Sequence, residues 1–557
     1  MSDTQSFLEL DQATMQQLGR RVADVVAEHL ATIRTKRAVT TLSRESAERA
    51  LAAPPPAKGS DFESILTTLR ERVFPYAAFE PHPGFIAYVP SCPAYPAVLG
   101  DWLTSGYNFF GGAWNVGAGP SEIELVVLEW LRSWLGMPAG SGGLLTNGGS
   151  GANLTAMVAA RHGAIGDDAA RIAQLTVYLS DQSHSSVIRA AWMAGIPREH
   201  VRVIPCDADF RLDLAALQRA IVADRAAGMR PLMVVANAGT TNTGAVDPLP
   251  AIADLCAREQ LWMHIDAAYG GFAVLAPEGR AKLAGIERAD SVTMDPHKWL
   301  YVPFECGCLL TREPAKLKAA FQILPDYLKD AESSGGEVNF ADYGEQLSRE
   351  ARGIKVWLNV QYYGTDALRD AIAYSLALAP LAERCVRETR GLEVLAPATL
   401  GILCFRAHPD GLDDPVGLDA LNERVLAAVN AEGRYFISST RVRGALSLRI
   451  CPIGHRTREH DMRELVALCA DDAGILFEEQ GMKVERELPA TAPAMLDRTR
   501  HLRPGGGFLG GRGRMRKAPV HLGVEAPQKR DRLEILPPAM PVRDPTAGGA
   551  AVIEIEH

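Results

Sequence analysis

The chain has 557 residues, of which 47% are hydrophobic and 22% are charged, and it carries a net charge of −9 at pH 7. This length allows a large core in more than one domain, and the acidic balance argues against a nucleic-acid-binding role. No secretory signal and no apolar run long enough to span a bilayer is visible, so the sequence predicts a cytoplasmic protein without a membrane partner.

The first predicted element is an N-terminal helical segment at residues 1–84. Apolar residues repeat near the helical period over residues 15–30 and again over 61–73, with three prolines at 54–56 between them. Such a pair of helices has little core of its own. We expect the segment to pack on a second subunit at a dimer interface, and the alternative is a clamp within the same chain.

Residues 85–380 alternate between short apolar runs and longer helical stretches. Strands are predicted at residues 175–180, 201–205, 231–236 and 261–266, and helices at 212–227 and 249–260. This alternation indicates an α/β domain with a mostly parallel sheet. In such sheets ligands bind beyond the carboxyl ends of the strands.

A smaller α+β unit is predicted at residues 381–484. Strands are expected at 401–406 and 445–450, and a helix at 457–480. Between 485 and 557, Pro, Gly and Arg accumulate and the periodicity vanishes, which predicts a disordered tail.

Cysteine spacing predicts neither a disulfide framework nor a metal site. The nine cysteines are scattered, and the closest pair, Cys306 and Cys308, has no zinc-ligand spacing. Free thiols in a reducing compartment are the simplest interpretation.

Lys298 and Asp266 are the residues that indicate a cofactor. Lys298 follows Pro-His, and Asp266 ends an apolar strand earlier in the chain. The amine can form a Schiff base with pyridoxal 5′-phosphate (PLP), and the acid can hold the pyridine nitrogen protonated. Ala268 is small enough for the ring to lie against its methyl group, and His297 is a candidate for orienting the substrate. The alternatives are a surface lysine and a helix-capping aspartate.

The phosphate and the pyridine ring of this cofactor each need further contacts with the protein. Gly149 and Ser150 lie in a glycine-rich turn that runs into a helix, where backbone N–H groups favour an anion. His184 follows the strand at 175–180, where its imidazole could stack on the pyridine ring and meet the substrate carboxylate. A solvated or capping histidine is the alternative.

Several ordered motifs together resemble the PLP-dependent group II decarboxylases, most nearly the aromatic-L-amino-acid decarboxylases. They are the segments at 82–91, 180–186, 239–241, 264–271 and 295–299, and the resemblance covers roughly residues 10–482. It implies a fold-type I PLP enzyme with a large, mostly parallel domain of the seven-stranded type and a small C-terminal α+β domain. It also implies a homodimer with active sites near the subunit interface.

The resemblance assigns roles residue by residue. Lys298 matches the Schiff-base lysine, Asp266 the partner of the pyridine nitrogen and His184 the stacking residue. Gly149, Ser150 and Thr241 fall in the cofactor site, and Ser91 falls where the family has a substrate-side hydroxyl. Tyr327 matches the tyrosine of a mobile loop that is thought to protonate the α-carbon.

Two residues depart from the family pattern, and one of them, Glu350, stands where an arginine is usual. Asp295 stands where many relatives carry Asn near the phosphate. Because two anions repel, we expect its carboxylate to turn away or to bond backbone.

The predicted function is decarboxylation of an L-amino acid, with an aromatic side chain, to an amine and carbon dioxide. The alternatives are a decarboxylase of the glutamate or aspartate type and an oxidative aldehyde synthase, which the retained Tyr327 disfavours. A further alternative is an inactive scaffold whose Arg-Gly tail binds a partner.

Overall fold

The computed structural model describes residues 8–323 and 336–479. Tyr327 and the predicted tail at 485–557 lie outside these ranges. The described helices are α1 Gln12–Ala31, α2 Arg44–Leu51, α3 Phe62–Arg72, α4 Tyr95–Tyr107, α5 Trp114–Leu135, α6 Gly149–Ile165, α7 Ser185–Met193, α8 Leu214–Ala226, α9 Leu249–Glu259, α10 Pro277–Lys282, α11 Pro296–Trp299, α12 Pro314–Phe321, α13 Gly353–Glu388, α14 Pro415–Glu432 and α15 Glu459–Glu479. The strands are β1 Gly142–Thr146, β2 Leu175–Ser180, β3 Val201–Ile204, β4 Arg230–Asn237, β5 Trp262–Asp266, β6 Ser291–Met294, β7 Gly307–Thr311, β8 Leu392–Thr399, β9 Ile402–Ala407, β10 Ser438–Val442 and β11 Ala445–Ile450.

A seven-stranded sheet organises the larger part of the chain, in the order β1-β7-β6-β5-β4-β2-β3. Strands β3, β2, β4, β5 and β6 run parallel, whereas β7 is antiparallel to both β6 and β1. Every residue of β2 is buried, as expected for a strand covered on both faces. The predicted α/β fold with a mostly parallel sheet is confirmed.

A second, four-stranded sheet has the order β10-β11-β9-β8 and is antiparallel throughout. Helices α14 and α15 pack against each other, and α14 also packs on β11. Their apolar side chains form a core separate from the two clusters that flank the large sheet.

The helix α13 joins the two sheets. It bends at Gly364, where the backbone takes the left-handed φ of 74° that glycine tolerates. The predicted domain boundary at residue 380 falls inside this helix, eight residues before its last residue, Glu388. The predicted domain limits stay predictions.

The N-terminal helices bury little of their own surface. No residue of α1 or α2 is buried, and α3 buries only Leu66. Among the residues that the structure describes, no helix combines the length and the apolar character needed to cross a bilayer.

Candidate active site

A cavity of about 350 Å³ opens at the carboxyl ends of the parallel strands. The loops after β1, β2, β4, β5 and β6 each contribute to its wall, which is where an open α/β sheet binds its ligand. All nine residues predicted to bind the cofactor line it: Gly149, Ser150, His184, Thr241, Asp266, Ala268, Asp295, His297 and Lys298.

Asp266, the last residue of β5, is buried with 7% of its surface exposed. One carboxylate oxygen, Oδ1, accepts a hydrogen bond from the backbone N–H of Ala268 at 3.1 Å. The other oxygen, Oδ2, accepts from the side-chain amide of Asn153 at 3.1 Å. Each oxygen of the carboxylate therefore accepts a hydrogen bond from the surrounding protein, which fixes its orientation.

Lys298 lies on the short helix α11 that follows β6. Its Nζ is 2.9 Å from Oδ2 of Asp295. The side chain lines the cavity and is 22% exposed. The amine thus faces the same space as Asp266.

The carboxylate of Asp295 lines the cavity and accepts no backbone hydrogen bond from the residues that the structure describes. Its Oδ2 pairs with the amine of Lys298, while its buried Oδ1 has no hydrogen-bond partner among the described residues. The physical reason is local charge compensation. The positive charge of Lys298, one helical turn further along the chain, compensates the negative charge of this carboxylate, at a position where the family more often has an amide.

The glycine-rich turn forms a cradle at the start of α6. Gly148 has a φ of 105°, a conformation that a residue with a side chain rarely adopts. A Cβ on Gly149 would lie 3.0 Å from Asp295 Oδ2 and 3.2 Å from the methyl carbon of Ala268. No side chain caps this 17-residue helix, so its first N–H groups are free to bind an anion.

His184 has two roles that the sequence left as alternatives. It lines the cavity, and it also caps α7, because its Nδ1 accepts from the backbone N–H of Ser186 at 3.3 Å. The hydroxyl of Ser186 lies 2.7 Å from the same nitrogen.

His297 and Thr241 are held by bonds that leave them at the cavity wall. The Nδ1–H of His297 donates to the carbonyl of Cys306 at 2.7 Å, and burial lowers the pKa of the imidazole. The backbone carbonyl of Thr241 accepts two bonds from the guanidinium of Arg449, at 3.0 and 2.6 Å. The second, smaller sheet therefore fixes the loop that presents Thr241.

Ser91 is the predicted site residue that the structure does not bring to the cavity wall. Its hydroxyl is buried without a hydrogen-bond partner among the described residues, and its N–H donates to Glu80 Oε2 at 2.6 Å. Burial raises the pKa of the Glu80 carboxyl, and the nearby charge of Lys298 offsets part of this rise. Ser91 therefore lies outside the set of residues that line this cavity, and Glu80, which it bonds, feels the charge of Lys298.

The cavity also contains residues that sequence reasoning missed. Asn153 lies on the helix that follows the glycine-rich turn, and Ser186 ends one of the motifs that the resemblance rests on, but their side chains were assigned no part. Asn153 is four residues after Gly149 on one helix, so helical spacing could have placed it on the same face. Phe304 and Glu305 also line the cavity, and no pattern in the sequence marks them.

These observations fit PLP. The uncapped helix and its glycines suit a phosphate, the bonded carboxylate of Asp266 suits a pyridinium nitrogen, and the amine of Lys298 suits an aldehyde. Fold and site together define an α/β enzyme of the PLP-dependent class.

Comparison with known proteins identifies the family. The profile described as the pyridoxal-dependent decarboxylase conserved domain matches residues 45–408. The chain is 38% identical to an aromatic-L-amino-acid decarboxylase of Bacillus atrophaeus over 460 residues, which cover 82% of this chain and 95% of the relative. The chain belongs to the pyridoxal-dependent decarboxylase family, and it is a PLP-dependent carboxy-lyase, as the sequence predicted.

Solved structures agree with this assignment. The crystal structure of Oryza sativa TDC with PLP and tryptamine superposes with a TM-score of 0.82 at 31% identity, covering 85% of this chain and 100% of that one. The Catharanthus roseus tryptophan decarboxylase in complex with L-tryptophan gives a TM-score of 0.78 at 28% identity, covering 84% and 99%.

Proposed function

We propose that this chain converts an aromatic L-amino acid to the corresponding amine and carbon dioxide, using PLP. The observation that carries the proposal is the placement of the Lys298 amine and the Asp266 carboxylate in one cavity, beside the uncapped start of α6. The aromatic-amino-acid and tryptophan decarboxylases among the relatives support the choice of substrate class.

When bound, PLP supplies an electron sink for the pair released as the bond to the departing carboxylate breaks. Lys298 would hold the cofactor through its aldehyde until a substrate amine replaces the lysine. Asp266 would keep a proton on the pyridine nitrogen, since two donors stabilise its negative charge. The first turn of α6, Ser150 and Thr241 would hold the phosphate.

His184 would position the substrate. Its Nδ1 accepts from Ser186, so a neutral imidazole carries its proton on Nε2. This leaves one donor for the substrate carboxylate, and the flat ring for the face of the cofactor. Orientation of the breaking bond is the contribution that the protein makes to the rate.

The charges of the cavity wall favour an aromatic over an acidic side chain. Among the lining residues that the structure describes, Lys298 is the one lysine or arginine, whereas Asp266, Asp295 and Glu305 are acidic. Phe304 and Tyr269 add aromatic surface to the same wall. An acidic substrate would need a second cation to pair with its side chain.

A homodimer is part of the proposal. Helices α1 and α2 bury no residue, and α4 exposes Trp102, Leu103 and Tyr107 by 44%, 48% and 71%. Apolar surface of this kind on a folded chain is typical of an interface between subunits.

A cytoplasmic location is supported by nine cysteines that are all free thiols.

Absorbance and product analysis test the proposal. The purified holoenzyme should absorb near ~420 nm, as expected when PLP is bound to a lysine, and Lys298→Ala should lose that band. Amine and carbon dioxide should form in equal amounts from an aromatic amino acid and not from glutamate or aspartate. A colourless wild type would favour the inactive scaffold.

The aldehyde-synthase alternative has its own measurement. Hydrogen peroxide and ammonia released in step with carbon dioxide would replace the amine-forming reaction by an oxidative one. For Tyr327→Phe we expect less amine and some aldehyde. Unchanged amine output would remove the proton-donor role assigned to Tyr327 from the resemblance.

A further inference from the structure

Asn153 lies where the two groups that face the cofactor come together. It is on α6, one turn after Gly149, and only 3% of its surface is exposed. Its amide nitrogen, Nδ2, donates to Asp266 Oδ2 at 3.1 Å and to the hydroxyl of Ser186 at 3.0 Å. The Ser186 hydroxyl is in turn 2.7 Å from Nδ1 of His184. One amide therefore connects the pyridine-nitrogen carboxylate with the imidazole.

Two donors fix which way this amide points. Asn153 Oδ1 accepts from the hydroxyl of Thr293 at 2.8 Å and lies 3.0 Å from Nε2 of His264. A flipped amide would set its oxygen against the carboxylate of Asp266, two acceptors facing each other. The observed orientation is the one in which every polar atom of the amide has a partner.

The direction of the hydrogen bonds can be followed further back into the sheet. The indole N–H of Trp262 can only donate, and it lies 2.8 Å from the hydroxyl of Ser291. That hydroxyl also lies 2.8 Å from Nδ1 of His264. Because it accepts from the indole, it can donate its own proton to this nitrogen. Burial lowers the pKa of His264 to about 4, which leaves one proton on the ring at neutral pH, on Nε2 facing Asn153.

At the other end, the chain fixes the proton of His184. The backbone N–H of Ser186 donates to His184 Nδ1, and a backbone N–H has no other option. The Ser186 hydroxyl accepts from Asn153 and gives its proton to the same Nδ1. The proton of neutral His184 is therefore on Nε2.

We propose that Asn153 is a positioning residue that holds Asp266 and, through Ser186, His184 in the orientations the reaction needs. The inference rests on the proposed function, because it gives Asn153 a purpose only if Asp266 and His184 face PLP and substrate. The effect of Asn153 would pass through the two residues it bonds.

Two variants separate the two branches of this network. Asn153→Asp keeps the shape of the side chain but removes both N–H donors, and it places a second carboxyl beside Asp266, where the two would share a proton. Ser186→Ala cuts only the branch to His184. We expect Asn153→Asp to weaken PLP binding to the apoprotein by roughly ten- to a hundredfold, since a hydrogen bond to a charged group is lost.

For Ser186→Ala we expect a raised KM for the amino acid and a much smaller change in the PLP dissociation constant than Asn153→Asp gives. The split between cofactor affinity and KM is a readout that a general loss of packing would not produce. PLP affinity is measured by titrating apoprotein and following both absorbance near ~420 nm and tryptophan fluorescence, so it does not depend on turnover.

Asn422→Asp is the matched control. Asn422 is also a fully buried amide on a helix, and its Nδ2 donates to the carbonyls of Ala407 and Leu418, in the part of the chain around the smaller sheet. The same substitution there should lower stability and leave PLP affinity as in the wild type.

The outcomes are distinct. A wild type that binds no PLP ends the proposed function itself. A wild type that binds PLP while Asn153→Asp binds it equally well would overturn the positioning role, and so would an equal loss of affinity in Asn422→Asp. An unchanged KM in Ser186→Ala would remove the branch to His184.

Discussion

Replacement of Asp295 by Asn should tighten PLP binding. Its Oδ2 lies 3.0 Å from the point where a Cβ on Gly149 would sit, at the first residue of the helix that would hold the phosphate. A phosphate bound at that helix start would share this end of the cavity with the carboxylate. Two unit charges about 5 Å apart repel by about 3 kcal/mol at an effective dielectric constant of about 20.

A second effect has the same sign. Asp295 pairs with the Lys298 amine at 2.9 Å, and this is the amine that would bond the cofactor aldehyde. Asp295→Asn removes a charge that competes with the aldehyde for this amine. After allowance for relaxation and screening, we expect the PLP dissociation constant to fall at least about tenfold, equivalent to about 1.4 kcal/mol.

The assay is a PLP titration of apoprotein, followed by absorbance near ~420 nm. Asp290→Asn is the control, because it removes the same charge from a partly buried aspartate that does not line the cavity. Weaker or unchanged binding by Asp295→Asn would refute the reasoning. Weaker binding in particular would mean that the carboxylate helps to hold the cofactor.

Three other predictions follow from single contacts. Gly149→Ala should weaken PLP binding because the added methyl would lie 3.0 Å from a carboxylate oxygen. Gly163→Ala, on the same helix, is the control: its methyl meets nothing within 4 Å, and it should raise the free energy of unfolding in urea by about 1 kcal/mol. Burial lowers the pKa of His264 to about 4 from 6.5, so the unfolded chain binds more protons between these values. This histidine should therefore lower stability as the pH falls from 6.5 toward 4, and His264→Gln should show a shallower dependence of stability on pH in denaturant titrations. Arg349→Met should cost roughly 3–5 kcal/mol by leaving Glu124 buried without its 2.7 Å partner, and a double variant with Glu124→Leu should recover much of this loss.

The sheet and most of the cavity wall could be predicted because both follow from local sequence. Strand β2 has the predicted bounds, and β5 differs by one residue at its start. Once strands are parallel, the residue at each carboxyl end is placed at one edge of the sheet, so Asp266 and His184 arrive at one site without knowledge of any contact.

The contacts that sequence reasoning missed depend on how neighbouring helices, strands and loops are aligned with one another. Asn153 bonds Asp266 because α6 packs across β5 at one particular height, and no periodicity encodes that height. Ser91 was expected to face the substrate, which stays a prediction, and its backbone is held by the N–H bond to Glu80. The loop that contains both is irregular, so neither period 2 nor period 3.6 predicts which way its side chains point.

Asp266 and Asp295 show how far residue type alone can carry an assignment. Each stands at or directly after the end of a parallel strand, each is buried, and each lines the same cavity. Asp266 receives N–H bonds on both oxygens, from the side-chain amide of Asn153 and the backbone of Ala268. The described partner of Asp295 is instead the amine of Lys298, which would bond the cofactor aldehyde. One carboxylate is therefore held by donors outside the proposed reaction, and the other is paired with a group that takes part in it. The difference lies in their hydrogen-bond donors, which the sequence does not reveal.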